Sequence, residues 1–113
     1  MNRRYSAAKA IIARKKKTLL EQLAAKAMSL GADGLEVEYK DGCEEVCAVK
    51  SGFGLGIASL RSSSPEAKSL RHELYALAKK KQRVTIDNCT YELRARIFDS
   101  FGEDAFHVEL RRR

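Results

Sequence analysis

The 113-residue sequence predicts an α+β fold, with a mainly antiparallel sheet, two helices on one face of it and the element order αβββαβββ. Three observations predict this fold. Two segments carry apolar residues at helical spacing, six others have the composition or alternation of strands, and consecutive strands are joined by short connections. Short connections favour antiparallel hairpins, with the helices packed on one sheet face.

The first helix is predicted to begin at a capping box. In Thr18-Leu19-Leu20-Glu21, the Thr hydroxyl and the Glu carboxylate can satisfy free amides at a helix start. The apolar stripe that follows consists of Leu20, Leu23, Ala24, Ala27 and Met28, and Gly31 is placed to end the helix. Residues 7–17 also have helix-forming composition, so the sequence leaves open a longer helix through Thr18.

Three strands are predicted next. Residues 35–40 alternate between apolar and charged side chains, which is the period of a half-buried strand. Asp41-Gly42 indicates a tight hairpin into a return strand over 43–50. In the third strand, over 52–60, Gly52, Gly54 and Gly56 fall on one side, but their spacing does not fit a nucleotide-binding GxGxxG loop. We expect instead a glycine face that lets a helix or a neighbouring backbone approach closely.

The second half repeats the order of a helix and three strands. Ser62, Ser63 and Ser64 are candidate N-caps, Pro65 suits the first helical position, and an apolar stripe follows at Ala67, Leu70, Leu74, Leu77 and Ala78. We attribute the run Lys79–Lys81 to the negative end of the helix dipole rather than to phosphate binding. Strands are predicted over 83–87, 91–98 and 106–110, with a turn near Asn88.

The net charge of +7 is confined to the chain ends. Residues 1–17 hold seven basic residues and no acid, residues 111–113 are arginines, and residues 18–110 hold 12 basic and 15 acidic residues, a net charge of −3. We therefore divide the chain into a basic arm (1–17), a single α+β domain (18–110) and a basic tail (111–113). The candidate nucleic-acid-binding residues are Arg3, Arg4, Arg14, Lys15, Lys16, Lys17, Arg111, Arg112 and Arg113.

Composition and motifs exclude several classes of protein. No segment approaches the roughly 18 uninterrupted apolar residues of a membrane span, and the N-terminus is not a secretory signal, although it loosely matches an organellar transit peptide. Three cysteines, an odd number, argue against a disulfide framework, and we expect a cytoplasmic protein. The sequence contains no phosphate-binding GxxxxGK[ST] loop, no GxSxG nucleophile motif and no HExxH zinc motif. We expect no metal, no cofactor and no enzymatic activity.

Two groups of side chains carry possible chemistry. His107 lies near Glu103, Asp104 and Glu109 in sequence and could serve in acid–base chemistry, but an outward, solvated histidine is the favoured interpretation. Arg94 and Arg96 share the polar face of a strand and can present two guanidinium groups to one anionic group of a partner. The alternative for this pair is a cross-strand contact with Glu109 or a neighbouring carboxylate, and this structural role is favoured.

From Leu19 to Leu110 the element order resembles the small domain that precedes the motor core in type II secretion and type IV pilus assembly ATPases. Three segments carry the resemblance: residues 31–35 (GADGL), residues 51–52 (SG), and a last hairpin with Arg94-Ala95-Arg96-Ile97, Gly102-Glu103 and an apolar strand over 106–110. The family's histidine is Glu36 here, its strand arginines are replaced around Cys47 and Val49, and the ATPase core is absent.

The resemblance implies a domain that packs on a neighbouring motor subunit and can lend arginines to its nucleotide site. In this chain Arg94 and Arg96 are the residues left for that role. We therefore expect a non-enzymatic protein-interaction module, with a secretion or pilus motor component as a possible partner and an oligomer as a possible state. A nucleic-acid-binding protein that uses the basic arm and the C-terminal arginines is the alternative.

Overall fold

The structure is a computed structural model that describes residues 17–113. Arg3, Arg4, Arg14, Lys15 and Lys16, which belong to the predicted basic arm, lie outside the described residues. Lys17 is exposed just before the first helix.

Two helices and six strands follow one another in the predicted order, which confirms the α+β fold. The first half contains helix α1 (Leu19–Ser29) and strands β1 (Gly34–Lys40), β2 (Cys43–Lys50) and β3 (Phe53–Arg61). The second half contains helix α2 (Pro65–Lys79) and strands β4 (Gln82–Ile86), β5 (Cys89–Ser100) and β6 (Glu103–Arg112). All six strands form one antiparallel sheet in the order β3-β2-β1-β6-β5-β4, so the first strand of one half pairs with the last strand of the other.

Both helices begin where their capping residues predict. The Thr18 hydroxyl accepts from the Glu21 amide, and the Glu21 carboxylate accepts from the Thr18 amide, which completes the capping box. Thr18 itself has an extended backbone, so helix α1 does not run through it. Ser64 caps helix α2, with Pro65 at its first position. A further capping contact joins the helices, because the Glu73 carboxylate of α2 accepts from the Leu20 amide at 3.1 Å.

Four hairpins connect the strands through two-residue turns. Both residues of each turn have positive φ, as in a type I′ turn, whose twist matches that of the flanking strands. The turns are Asp41-Gly42, Ser51-Gly52, Asp87-Asn88 and Phe101-Gly102. Only Asp41-Gly42 was predicted as a tight turn with its residues in place. The other turns lack a typical type I′ sequence, because residues such as Ser51 and Phe101 rarely adopt positive φ.

The close approach of a helix or backbone predicted at the glycine face is wrong, although Gly54 and Gly56 do share one face of the sheet. Gly52 belongs to the β2–β3 turn, with φ at +85°, and is not part of the strand. Gly54 and Gly56 lie on β3, but a Cβ at Gly56 would meet nothing within 4 Å, and one at Gly54 would meet only side-chain atoms, at 3.6 Å or more. Among the described residues, no helix or backbone therefore packs closely on these glycines.

The core lies between the two helices and one face of the sheet. Its largest fully buried side chains include Phe106, Leu35, Leu70, Leu74 and Leu77. The Tyr75 ring of helix α2 meets Phe106 edge to face, with centroids 5.0 Å apart. These contacts fix both helices on the same sheet face, as predicted.

A chain of polar side chains crosses this interface and was not predicted. Glu44 of β2 is 2% exposed, and its carboxylate accepts from Ser62 at 3.0 Å and from Arg71 at 3.4 Å. Arg71 also donates to the Tyr75 hydroxyl, which donates to Asp104 at 2.6 Å. The hydrogen bond to Asp104 raises the pKa of Tyr75. The chain joins helix α2 to β2 and β6 without an unpaired buried charge.

Candidate functional site

The sheet face opposite the helices, here called the open face, is formed by the alternate strand residues that do not enter the core. Within residues 17–113 no helix packs on it. The strand register builds two neighbouring rows of side chains across its centre. One row consists of Cys47, Glu36, His107 and Arg96, and the other of Val49, Gly34, Glu109 and Arg94. Four strands from both halves of the chain therefore contribute to one surface.

Two shallow cavities lie on the open face. The larger, here called the open-face groove, has a volume of about 760 Å³ and is lined by residues that include Asp33, Arg94, Arg96, His107, Glu109 and Arg111. The smaller, of about 310 Å³, is lined by residues that include Glu36, Cys47 and Gly54. Asp33 and His107 line both cavities, so the two form a continuous depression across the sheet.

Arg94 is held by a carboxylate of its own strand. Its Nε donates to Glu92 at 2.8 Å, although the strand register places Glu109 directly opposite. Glu92 is only 2% exposed and also meets Lys81 at 3.6 Å and Arg113 at 3.3 Å. The hydrogen bond from Arg94 lowers the pKa of Glu92, and the same bond raises the pKa of Arg94. Arg94 therefore has the structural role that the sequence favoured, but with a different carboxylate.

Arg96 differs from Arg94 in having no fixed partner. Its side chain is exposed, and it forms no hydrogen bond or ion pair with any residue in the described part of the chain. It lies directly opposite His107 in the β5–β6 register and lines the open-face groove. The guanidinium is therefore available to a carboxylate or phosphate of a partner, in the fork geometry that both anions accept.

His107 forms the centre of the open face. Its Nδ1 lies 3.1 Å from a Glu36 oxygen, and only 26% of its side chain is exposed. The sequence suggested nearby Glu103, Asp104 or Glu109 as partners, but the partner comes from β1 across the sheet. The neighbouring Gly34 leaves room for the ring, because a Cβ there would lie 3.3 Å from the His107 Cε1 atom.

The C-terminal arginines are part of the sheet rather than a tail beyond it. Strand β6 continues through Arg111 and Arg112, past the predicted end at Leu110. Arg111 lines the open-face groove, Arg112 donates to the Cys89 Sγ atom at 3.5 Å, and Arg113 pairs with Glu92.

No metal-binding cluster is found within residues 17–113, in the sense of three or more neighbouring His, Cys, Asp or Glu side chains. All three cysteines are free. Partial burial, aided by Glu38, Glu45 and Glu36, raises the pKa of Cys47, which disfavours the reactive thiolate. No helix in the described part of the chain is long and apolar enough to cross a membrane.

No protein-family model matches the sequence, and a search of curated proteins finds no match either. The resemblance to the pre-motor domain of secretion and pilus ATPases therefore stays a prediction.

Several residues of the open face were missed by reasoning from sequence. Glu36 and Glu92 form contacts that depend on the tertiary structure, because Glu36 pairs with His107 of β6 and Glu92 pairs with Arg113. Asp33 belongs to the segment 31–35 that carries the family resemblance, and its sequence context does not indicate that it lines a groove. Gly34 could have been recognised from its position at the start of the first strand, because a glycine there indicates that a neighbouring group approaches closely.

Proposed function

We propose that this chain is a non-enzymatic protein-interaction module that docks a partner protein on its open face, with Arg96 contacting an anionic group of that partner. The observation that carries the proposal is an exposed arginine, without a partner among residues 17–113, in a groove on a sheet face that no described helix covers. Arg94 supports the groove as a positioning residue, because its guanidinium is held by buried Glu92.

The mixed charges of the open-face groove favour a protein as the partner. Asp33 and Glu109 line the groove together with four arginines, Arg94, Arg96, Arg111 and Arg112. A polyanion with charge at regular intervals would meet both signs there, whereas a protein surface can place a carboxylate near Arg96 and a cation near Glu109. Such complementarity gives specificity and orientation.

The finer form of the proposal is a free-standing relative of the pre-motor domain of secretion or pilus ATPases. The element order from Leu19 to Leu110 and the Arg94-Ala95-Arg96-Ile97 hairpin support it. In that case the anionic group contacted by Arg96 belongs to a motor subunit, and a purified motor ATPase of this type is the first partner to assay.

The experiment compares two charge reversals that change the net charge equally. Arg96→Glu alters the open face, and Lys68→Glu alters an exposed position of helix α2, which lies on the opposite side of the sheet. Tagged chains are used to capture partners from extract, and the captured proteins are quantified. A specific partner should be retained by Lys68→Glu and lost by Arg96→Glu. Equal capture by both variants would contradict docking at Arg96.

Arg94→Glu is a less suitable variant for this experiment. It would place two carboxylates together and leave the buried Glu92 with fewer cations, so loss of binding could follow from local unfolding.

A nucleic-acid-binding protein is the second candidate, favoured by one observation. Arg111 lies on the same face as Arg94 and Arg96, so the open face presents three arginines on one surface. Seven phosphate contacts from the arm would give a salt slope of about −6 for duplex DNA. Deletion of residues 1–16, which keeps the Thr18 cap, should abolish such binding but leave docking on the open face unchanged.

A further inference from the structure

The two edges of the sheet differ in length and charge. Strand β4 forms one edge with five residues that include the exposed Arg83. Strand β3 forms the other edge with nine residues, and the stretch from Phe53 to Leu60 contains no charged residue and no proline. Long, uncharged edge strands are templates for pairing with another strand, and lysine, proline or shortness usually prevents this. Edge β3 lacks those three forms of protection, and its one irregularity is a bulge at Ile57, which lies at the centre of the pairing argued below.

We infer that β3 pairs with β3 of a second copy of this chain, antiparallel across a two-fold axis, and joins the two sheets into one of twelve strands. The interface lies on the sheet edge, so it is separate from the proposed docking surface on the open face.

The faces of β3 support this pairing. Residue Ile57 is the extra residue of a bulge, because Val46 pairs with Ala58 while Cys47 pairs with Gly56. The bulge shifts the alternation of side chains between the two faces by one residue. Phe53 and Leu55, before the bulge, therefore share the helix-covered face with Ala58 and Leu60, after it. The glycines Gly54 and Gly56 share the open face with Ser59.

With a two-fold axis near Gly56 and Ile57, residues on one face of β3 lie opposite residues on the same face of the second copy. Phe53 lies opposite Leu60 of the second copy, and Leu55 lies opposite its Ala58. On the open face Gly54 lies opposite Ser59, so small residues meet there. Arg61 falls opposite Gly52, which places no like charges opposite each other.

Exposure of apolar side chains supports a second copy as the occupant. Phe53 is 80% exposed and Leu55 is 57% exposed, although both lie on the side of the sheet that carries the core. The pairing places these side chains against apolar partners from an identical strand, as a self-complementary interface requires. A single strand pair of eight residues, about 26 Å long, is smaller than a standard interface, so we expect a dimer of micromolar or weaker affinity.

The test measures the mass of the full chain by sedimentation or light scattering from about 1 µM to about 1 mM. Phe53→Lys/Leu55→Lys should raise the dimer dissociation constant by at least about 100-fold, through loss of apolar contact and added charge on the edge. The matched control is Gln82→Lys/Thr85→Lys, which adds the same charge at exposed positions of the opposite edge and should leave dimerisation unchanged.

Amide hydrogen exchange of the unaltered chain provides a second readout that does not depend on any variant folding. The β3 amides that point away from β2 should gain protection as concentration rises. A monomer at all concentrations, or a dimer that the β3 variant leaves intact, would overturn the inference. Protection of these amides that does not change with concentration would also overturn it, because the chain's own residues would then cover the edge.

Discussion

The substitution Gly34→Ala tests how the centre of the open face is built. Gly34 is buried, and a Cβ there would lie 2.9 Å from the Val49 Cγ2 atom, 3.2 Å from the Val108 carbonyl oxygen and 3.3 Å from the His107 Cε1 atom. The Val108 oxygen is backbone in the central strand pair and cannot move freely. Overpacking of this kind costs about 1–3 kcal/mol, so we expect the free energy of unfolding to fall by that amount.

Gly56→Ala is the matched control. The same methyl group at Gly56 would meet nothing within 4 Å, and the residue does not have positive φ. Replacing glycine at such a position stabilises by about 0.4–1 kcal/mol, because the unfolded chain loses freedom. Urea unfolding measures both variants. If the free energy of unfolding falls by about 1.5 kcal/mol per M urea, a difference of about 2 kcal/mol in this free energy between the two variants separates their midpoints by roughly 1.3 M.

The ring signals of His107 in NMR spectra provide a local readout. They should shift in Gly34→Ala, because the added methyl group displaces the ring, and stay in place in Gly56→Ala. Equal urea midpoints for the two variants, or an undisturbed His107 ring in Gly34→Ala, would refute the described packing of β1 against β6.

Three further predictions concern a turn, an ion pair and a helix cap. Phe101→Asn should stabilise by about 1 kcal/mol and raise the melting temperature by about 4–8 °C, because Phe101 has φ at +53°; an unchanged melting temperature would contradict this. Arg94 lowers the pKa of Glu92 below its ordinary 4.5. Ionised Glu92 therefore stabilises the fold fully above pH 4.5, and this stabilisation is lost as the pH falls through the lowered pKa. NMR titration should show a higher Glu92 midpoint in Arg94→Gln, and equal midpoints would exclude the contact. Glu73→Ala should cost about 1 kcal/mol in thermal unfolding, because the Leu20 amide loses its acceptor, and a neutral effect would argue against the inter-helix cap.

Local patterns were sufficient to predict most of the fold. The capping residues Thr18 and Ser64 fix the helix starts through contacts within one turn, so they can be recognised without knowing the tertiary structure. The alternation of Leu35, Val37 and Tyr39 likewise depends only on the two-residue period of a strand. These elements, joined by short connections, leave few arrangements for the sheet.

Features that depend on strand register could not be predicted in the same way. The burial of Glu92 requires Lys81, Arg94 and Arg113 to meet around it, and these come from three places in the chain. The burial of Glu44 depends similarly on Arg71 of helix α2. At the glycine face a contact was expected that the structure does not contain. The spacing of the glycines does not indicate whether a neighbour lies above Gly56.

The candidate site was predicted in part. The sequence placed Arg94 and Arg96 on one polar strand face, and the structure gives them different environments, since Arg94 is held by Glu92 and Arg96 is exposed without a partner among the described residues. Only the register shows that Arg96 lies beside His107 and that Arg111 lines the same groove.

The affinity of a captured partner for the Arg96→Glu and Lys68→Glu variants tests the central claim most directly. A hydrogen bond to a charged group contributes about 1.5–3 kcal/mol, which corresponds to roughly 10- to 150-fold in the dissociation constant. We expect Arg96→Glu to weaken binding at least that much, while Lys68→Glu binds as the unaltered chain does. Equal dissociation constants for the two variants would contradict docking on the open face.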